Sequence, residues 1–315
     1  MKRGTLTVCL GLTLVLLGGG CASKRGGQVQ DEQDISGTEA ERGRLEPEAI
    51  MVRAQTAMRL GKTDEALYHY VSLLEVQPKN VQALIAIGEI HLEKGNPKLA
   101  NVAFLMAIDS DPSSASAYEG SGLATFASHE DAIAQSAFEN ALKRDPSRWR
   151  SLNGLGLLAD RAGQHAKALG YFQKALLKSP NNPQILNNLG YCKYLSHDYP
   201  GALKAADAAL AITPSYTPAV YNRALYLARL GRLGEAIDAF RGLTSEADAY
   251  NNLGYVFMKE GDLALAREYL EKAIQLSPTY HRLANENLRQ IDRLVDRQVR
   301  GEVSVTHSAL APPKP

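Results

Sequence analysis

From Tyr250 to Pro278 the chain reads YNNLGYVFMKEGDLALAREYLEKAIQLSP, and its apolar positions fall on two short helical faces. Tyr250, Leu253, Gly254 and Phe257 are three, one and three residues apart, which puts them on one side of a helix. Gly261 supplies the positive φ that stops that helix, and Asp262 can cap the next. Ala266, Leu270 and Ala273 form the inner stripe of the second helix, which Pro278 closes. The two helices fold back on each other. Neither can bury its stripe alone, so the pattern demands neighbours of its own kind.

The neighbours are present. Pro78, Pro112, Pro146, Pro180 and Pro214 stand 34 residues apart, each below the same frame. Leu84, Ile87, Gly88, Ala100, Phe104, Ala107 and Pro112 mark one copy; Leu152, Leu155, Gly156, Ala168, Phe172, Ala175 and Pro180 mark another. A 34-residue period with a small residue at place 8, alanine at place 20, an aromatic at place 24 and a late proline resembles the tetratricopeptide repeat. Seven copies follow in register: 47–80, 81–114, 115–148, 149–182, 183–216, 217–246 and 247–280. The sixth is four residues short and lacks the proline. The resemblance implies an all-α fold, a right-handed superhelix (α-solenoid) of seven helix hairpins, closed by a C-terminal capping helix.

One packing rule runs through the copies. Places 8 and 20 are both small: Ala54/Ala66, Gly88/Ala100, Gly122/Ala134, Gly156/Ala168, Gly190/Ala202, Ala224/Ala236 and Gly254/Ala266. Small residues there let the helices of a hairpin approach closely. A leucine at Ala168 is expected to overpack, at about 1–3 kcal/mol. Gly61, Gly95, Gly163, Gly231 and Gly261 end first helices, whereas His129 and His197 hold that place in repeats 3 and 5 and predict strained or reshaped turns. Asn96-Pro97 reads as cap then proline. Residues 281–300 are expected to form the capping helix, with Leu283, Leu288, Ile291, Val295 and Val299 as its stripe. Residues 301–315 have no periodicity and are expected to be disordered.

Residues 1–20 have the parts of a secretory signal: Lys2 and Arg3, then a short apolar run from Leu6 to Leu17. Leu17-Gly18-Gly19-Gly20-Cys21 resembles a bacterial lipobox, although Gly18 holds the place of the usual large aliphatic residue. The resemblance implies a lipid anchor on Cys21, and Ala22 after it leans towards the outer membrane over the inner. A plain leader cleaved near Ala22, or an uncleaved anchor, is the alternative. Residues 21–46, polar and rich in Gly and Gln, read as a tether with a coil reach of about 25–30 Å. Loss of Lys2 and Arg3 reduces the 35 basic residues to 33 against 34 acidic ones, so no nucleic-acid footprint is expected. Of the three cysteines, Cys9 and Cys21 belong to the leader and its end, which leaves Cys192 without an intrachain partner. It reads as a small core residue or a partly exposed thiol.

No catalytic constellation, metal motif or cofactor motif emerges: the seven histidines are scattered, and there is neither a CxxC nor a phosphate-binding glycine loop. Paired acids such as Asp64-Glu65 start second helices, where the helix dipole favours them. The better signal lies on the first helices, which line the concave wall in the family this chain resembles. That wall would carry Asn153, Asn187, Tyr191, Tyr194, Tyr221, Asn251 and Tyr255, a Tyr/Asn surface suited to an extended peptide. Asn188, Asn222 and Asn252 share place 6 of three successive repeats. They resemble the asparagine ladder that holds a peptide main chain in some members; equally, they can brace neighbouring helices. In the amino-terminal half the inner places hold Met51, Ile85, Leu92, Leu123 and Phe126. That stripe can take an amphipathic helix, or be buried by the tether or by the solenoid's own curvature.

With its leader, the array resembles bacterial lipoproteins built of these repeats: the Tad (Flp) pilus assembly lipoprotein above all, by its two NNLGY segments and its SPTYHRLANENL ending, and also the type IV pilus pilotins and the adaptors of murein hydrolases. The resemblance implies a non-enzymatic, periplasm-facing adaptor at the outer membrane, with a secretin or pilus-assembly component as protein partner. An adaptor that recruits peptidoglycan hydrolases, or an enzyme with an unrecognised site, is the alternative.

Overall fold

A computed structural model of the protein describes residues 46–300; the leader, Cys21, nearly all of the tether and the tail lie outside the described residues. Fifteen helices follow one another, with no strand among the described residues. Seven hairpins are formed by α1 (Pro47–Arg59) and α2 (Thr63–Val76), α3 (Val81–Glu93) and α4 (Pro97–Ser110), α5 (Ala115–Ala127) and α6 (Asp131–Arg144), α7 (Trp149–Arg161) and α8 (His165–Lys178), α9 (Pro183–Leu195) and α10 (Tyr199–Ile212), α11 (Thr217–Arg229) and α12 (Leu233–Arg241), and α13 (Glu246–Glu260) and α14 (Leu263–Leu276). The capping helix is α15 (Arg282–Val299). Each helix packs on the next, and from α3 onwards each first helix also touches the first helix of the following repeat. No comparable contact joins second helices, so the first helices form the crowded inner side. No helix among the described residues is long and apolar enough to cross a membrane.

The small pairs do what their spacing predicts. Ala54, Ala66, Ala100, Ala134, Ala168, Ala202, Ala224, Ala236 and Ala266 are fully buried, and the glycines opposite them are buried too. The aromatic of place 24 explains why glycine recurs. A Cβ on Gly88, Gly122 or Gly156 would lie 2.5–2.6 Å from the ring of Phe104, Phe138 or Phe172 in the same repeat. Place 6 of the next repeat closes on the same ring: a Cβ on Gly120 or Gly154 would fall 2.2 Å from Phe104 or 2.5 Å from Phe138. Phe104 and Phe138 are thus each held against two glycines of successive repeats, whereas Phe172 meets only Gly156. In repeat 5 place 24 is Ala206, and fully buried Tyr226 from repeat 6 reaches in instead, 3.6 Å from where a Gly190 Cβ would stand.

All seven intra-hairpin turns share one geometry. Gly61, Gly95, Gly163, Gly231 and Gly261 have φ between 71° and 83°, and His129 (61°) and His197 (62°) adopt the same left-handed state. The next residue's N–H then reaches back five residues, as in Lys62 to Ala57 (2.9 Å), Glu130 to Thr125 (2.9 Å) and Asp198 to Lys193 (2.9 Å). The histidines therefore carry strain without reshaping the turn. Asp262 caps α14 through Leu265 N–H at 3.1 Å. Asn96 differs from expectation: it stands at the cap of α4, but its side chain makes no capping bond.

The deletion expected in repeat 6 shortens its second helix to 9 residues where the others have 14, and Ser245 caps α13 by accepting from Asp248 N–H at 3.1 Å. One expectation is corrected. The stripe of α15 is Ala284, Leu288, Ile291 and Leu294; Leu283, Val295 and Val299 face solvent, because the helix begins at Arg282 and turns its small Ala284 inwards. Of the two readings of the amino-terminal inner stripe, the contacts favour packing within the solenoid itself. Ile85 and Leu92 pack against Ala100, Phe104 and Ala124, Leu123 packs against the Phe138 cluster, and Phe126 is buried with the Arg161 guanidinium 4.3 Å from its ring centre.

Candidate functional site

The ten inner-wall residues lie on four consecutive first helices: Asn153 on α7; Asn187, Asn188, Tyr191 and Tyr194 on α9; Tyr221 and Asn222 on α11; and Asn251, Asn252 and Tyr255 on α13. Their environments split them into two groups. Asn153, Asn187 and Asn251 are buried, and their carboxamides are paired across repeats. Asn188 Nδ2 donates to Asn153 Oδ1 at 3.0 Å, Asn222 Nδ2 to Asn187 Oδ1 at 2.8 Å, and Asn287 Nδ2 on α15 to Asn251 Oδ1 at 3.1 Å. Place 6 of one repeat therefore bonds place 5 of the repeat before. This is the bracing geometry of the two that the sequence permits. The register slips at the short repeat, where place 5 is Tyr221 and Asn252 accepts instead from Asn251 at 3.4 Å.

Place 5 of repeat 3 carries a brace that the sequence reading missed. Glu119 is 6% exposed and accepts from Ser151 N–H at 3.1 Å and Ser151 Oγ at 2.9 Å. Arg148 approaches the same carboxylate at 3.5 Å. Its signal was positional: a carboxylate at the place where later repeats hold asparagine.

The second group is aromatic. Tyr191 stacks on Tyr194 with ring centres 5.8 Å apart, and Tyr194 stacks on Tyr226 at 5.5 Å. Tyr199 adds a tilted ring 5.6 Å from Tyr194. Arg229 lies 5.8 Å from the centres of both Tyr194 and Tyr199, donates to Tyr194 Oη at 3.3 Å, and pairs with Glu260. Burial pushes the Tyr191 hydroxyl up to about 12, helped by the nearby Glu260 and Asp160 carboxylates. Tyr194 is raised further, by burial first and by its bond to Glu260 second. These rings stay neutral, so they offer flat faces and hydroxyls, not charge. Two rings remain open to solvent: Tyr221 (37%), edge-on to Phe240 at 5.0 Å, and Tyr255 (39%), with the Lys259 ammonium 5.8 Å from its centre. The wall thus combines a buried amide frame with half-buried and exposed tyrosines, an arrangement suited to holding a chain by its side chains.

Tetratricopeptide repeat family profiles match residues 51–115 and 122–184, 161–222, and 247–280. The chain is a tetratricopeptide repeat protein. A tetratricopeptide repeat protein from Parabacteroides merdae is 15% identical with a TM-score of 0.56, over 78% of this chain and 98% of that one. The repeat protein TTC0263 of Thermus thermophilus is 19% identical with a TM-score of 0.51, over 58% of this chain and all of that one (100%). Pseudomonas aeruginosa pilF is 18% identical with a TM-score of 0.48, over 79% of this chain and 97% of that one. At these identities the likeness concerns the fold. No curated protein sequence matches this chain. The family matches are to an interaction scaffold, and none is to a catalytic family.

Proposed function

We propose that this tetratricopeptide repeat protein is a lipid-anchored adaptor of a bacterial envelope, held at the outer membrane through Cys21, facing the periplasm, and serving the assembly of a pilus or secretion machine of the Tad type. The observation that carries the adaptor reading is the tyrosine wall. Tyr221 and Tyr255 are exposed on adjacent first helices, beside half-buried Tyr191, over a frame of paired asparagines. The amides are committed to the frame, so the tyrosines carry recognition, and the bound element is an extended segment of a secretin or pilus-assembly component. The lipobox-like run before Cys21 and the polar segment after it support the anchor. The NNLGY segments and the ending support the pilus assignment.

A photo-crosslinking residue in place of Tyr255 tests the partner in source cells. Crosslinks to a secretin or pilus-assembly protein, lost when Tyr221 is also changed to Ala, are expected. Crosslinks to peptidoglycan hydrolases alone would transfer the reading to the alternative envelope adaptor. Metabolic labelling with a fatty-acid analogue tests the anchor: label that persists in a Cys21→Ala variant removes it.

A further inference from the structure

We propose that Asp160, His165 and Cys192 form a three-donor site for a divalent metal ion of the Zn(II) class at the joint between repeats 4 and 5. A carboxylate oxygen, a ring nitrogen and the thiol sulfur lie within 4.8 Å of one another. They arrive on three successive helices. Asp160 is in the last turn of α7, His165 is the first residue of α8 across the Gly163 turn, and Cys192 is on α9 of the next repeat. His165 Nδ1 stands 2.9 Å from Asp160 Oδ1, and Cys192 Sγ is 3.4 Å from the His165 carbonyl oxygen. Backbone that is fixed by helix packing therefore brings the three side chains together; no loop has to close around the ion.

Charge and softness select the ion. Cys192 is fully buried in a cluster with Leu152, Ala168, Phe172 and Ile185, and the Asp160 side chain is only 9% exposed. An ionised carboxylate in such a place is favoured by a cation beside it. One M(II) ion with Asp160 ionised, Cys192 as thiolate and His165 neutral gives a site of zero net charge. Binding releases the thiol proton to solvent and replaces the Asp160–His165 hydrogen bond with two metal bonds. A mixed oxygen, nitrogen and sulfur set favours Zn(II) and its stand-in Co(II) over Mg(II) or Ca(II), which prefer oxygen alone. Bonds of about 2.0–2.3 Å place tetrahedral donors roughly 3.3–3.8 Å apart, so the Asp160–His165 pair has to open slightly from 2.9 Å while any separation near 4.8 Å closes by about 1 Å. The His165 side chain is 30% exposed, which leaves an entry path and a fourth position for water. The site would clamp the middle of the array, since its donors straddle the boundary between two repeats.

The test uses the full-length protein after chelator treatment, titrated with Zn(II) and separately with Co(II). One equivalent is expected to bind, Co(II) giving a thiolate-to-metal charge-transfer absorption that disappears in Cys192→Ser. His165→Gln, at a partly exposed position outside the packed core, is expected to weaken Zn(II) binding by about ten-fold or more. Circular dichroism of each variant separates loss of a donor from loss of the fold. Failure to take up either ion, a charge-transfer band that survives in Cys192→Ser, or unchanged Zn(II) affinity in a folded His165→Gln would each overturn the site.

Discussion

Two glycines in repeat 4 allow the packing rule to be measured. Gly154 lies on α7 and Gly170 on α8. Exchanging either for alanine improves helix propensity by about 1 kcal/mol. At Gly170 a Cβ meets nothing within 4 Å, so Gly170→Ala should stabilise by that full amount. At Gly154 the same Cβ falls 2.5 Å from Cε2 and Cζ of Phe138. Carbon atoms rest about 3.5–4.0 Å apart, so the overlap is about 1 Å or more. The ring has little room to slide away, because the bare backbone of Gly122 lies close against its other edge and Phe138 is fully buried. Overpacking of this kind costs about 1–3 kcal/mol, which cancels or outweighs the propensity gain. The two variants should therefore differ by about 1–3 kcal/mol, with Gly154→Ala the less stable. Urea unfolding followed through Trp149, the chain's one tryptophan and the first residue of α7, reports on this repeat directly. If Gly154→Ala stabilises as much as Gly170→Ala, the wedged-ring account of the repeat is wrong.

Other outcomes follow from named contacts. In a double-mutant cycle, Asn153→Ala and Asn188→Ala should show a coupling of about 0.5–1.5 kcal/mol; additivity would mean that the amide pair braces nothing. The Tyr226 hydroxyl is buried with no hydrogen-bond partner among the described residues, so Tyr226→Phe should stabilise by about 1 kcal/mol, and a loss of stability would reveal an unseen partner. Burial raises the folded-state values of Tyr191, Tyr194 and Tyr226 above that of an unfolded tyrosine. The folded chain then holds protons that the unfolded chain has released, so stability is intact below about pH 10 and falls as pH rises beyond it. A urea midpoint that stays flat from about pH 9 to 11.5 would contradict this burial.

Much of this was legible because the repeat makes every local signal seven-fold. The small pairs and the left-handed turns at Gly61 or His129 are short-range features that hold in each copy, and the closing proline is missing only from repeat 6. What was not legible depends on contacts between copies. Tyr226 fills the space left by Ala206 one repeat earlier, and nothing within either repeat announces that exchange. Place 5 was read as an exposed recognition position, yet Asn153 and Asn187 are buried there, because first helices crowd their successors on the inner side. The stripe of α15 was misjudged for a related reason. Large residues were counted, but alanine was what fitted: Ala284 is fully buried and Leu283 is not.

The exchange at place 6 ties packing to recognition. In repeats 3 and 4 that place is Gly120 and Gly154, and the preceding ring lies directly against the bare backbone. In repeats 5 and 6 it is Asn188 and Asn222, and the joint is held by an amide pair, which has to keep its distance and direction to remain a bond. The change of joint coincides with the place where tyrosines begin to populate the inner wall, Tyr191 being the first. A surface that recognises by flat rings needs those rings at fixed mutual positions, and directional amide bonds fix helix register more tightly than apolar contact does. The asparagines therefore serve binding indirectly. Removal of one should loosen the tyrosine array while every ring that could touch a partner is still present.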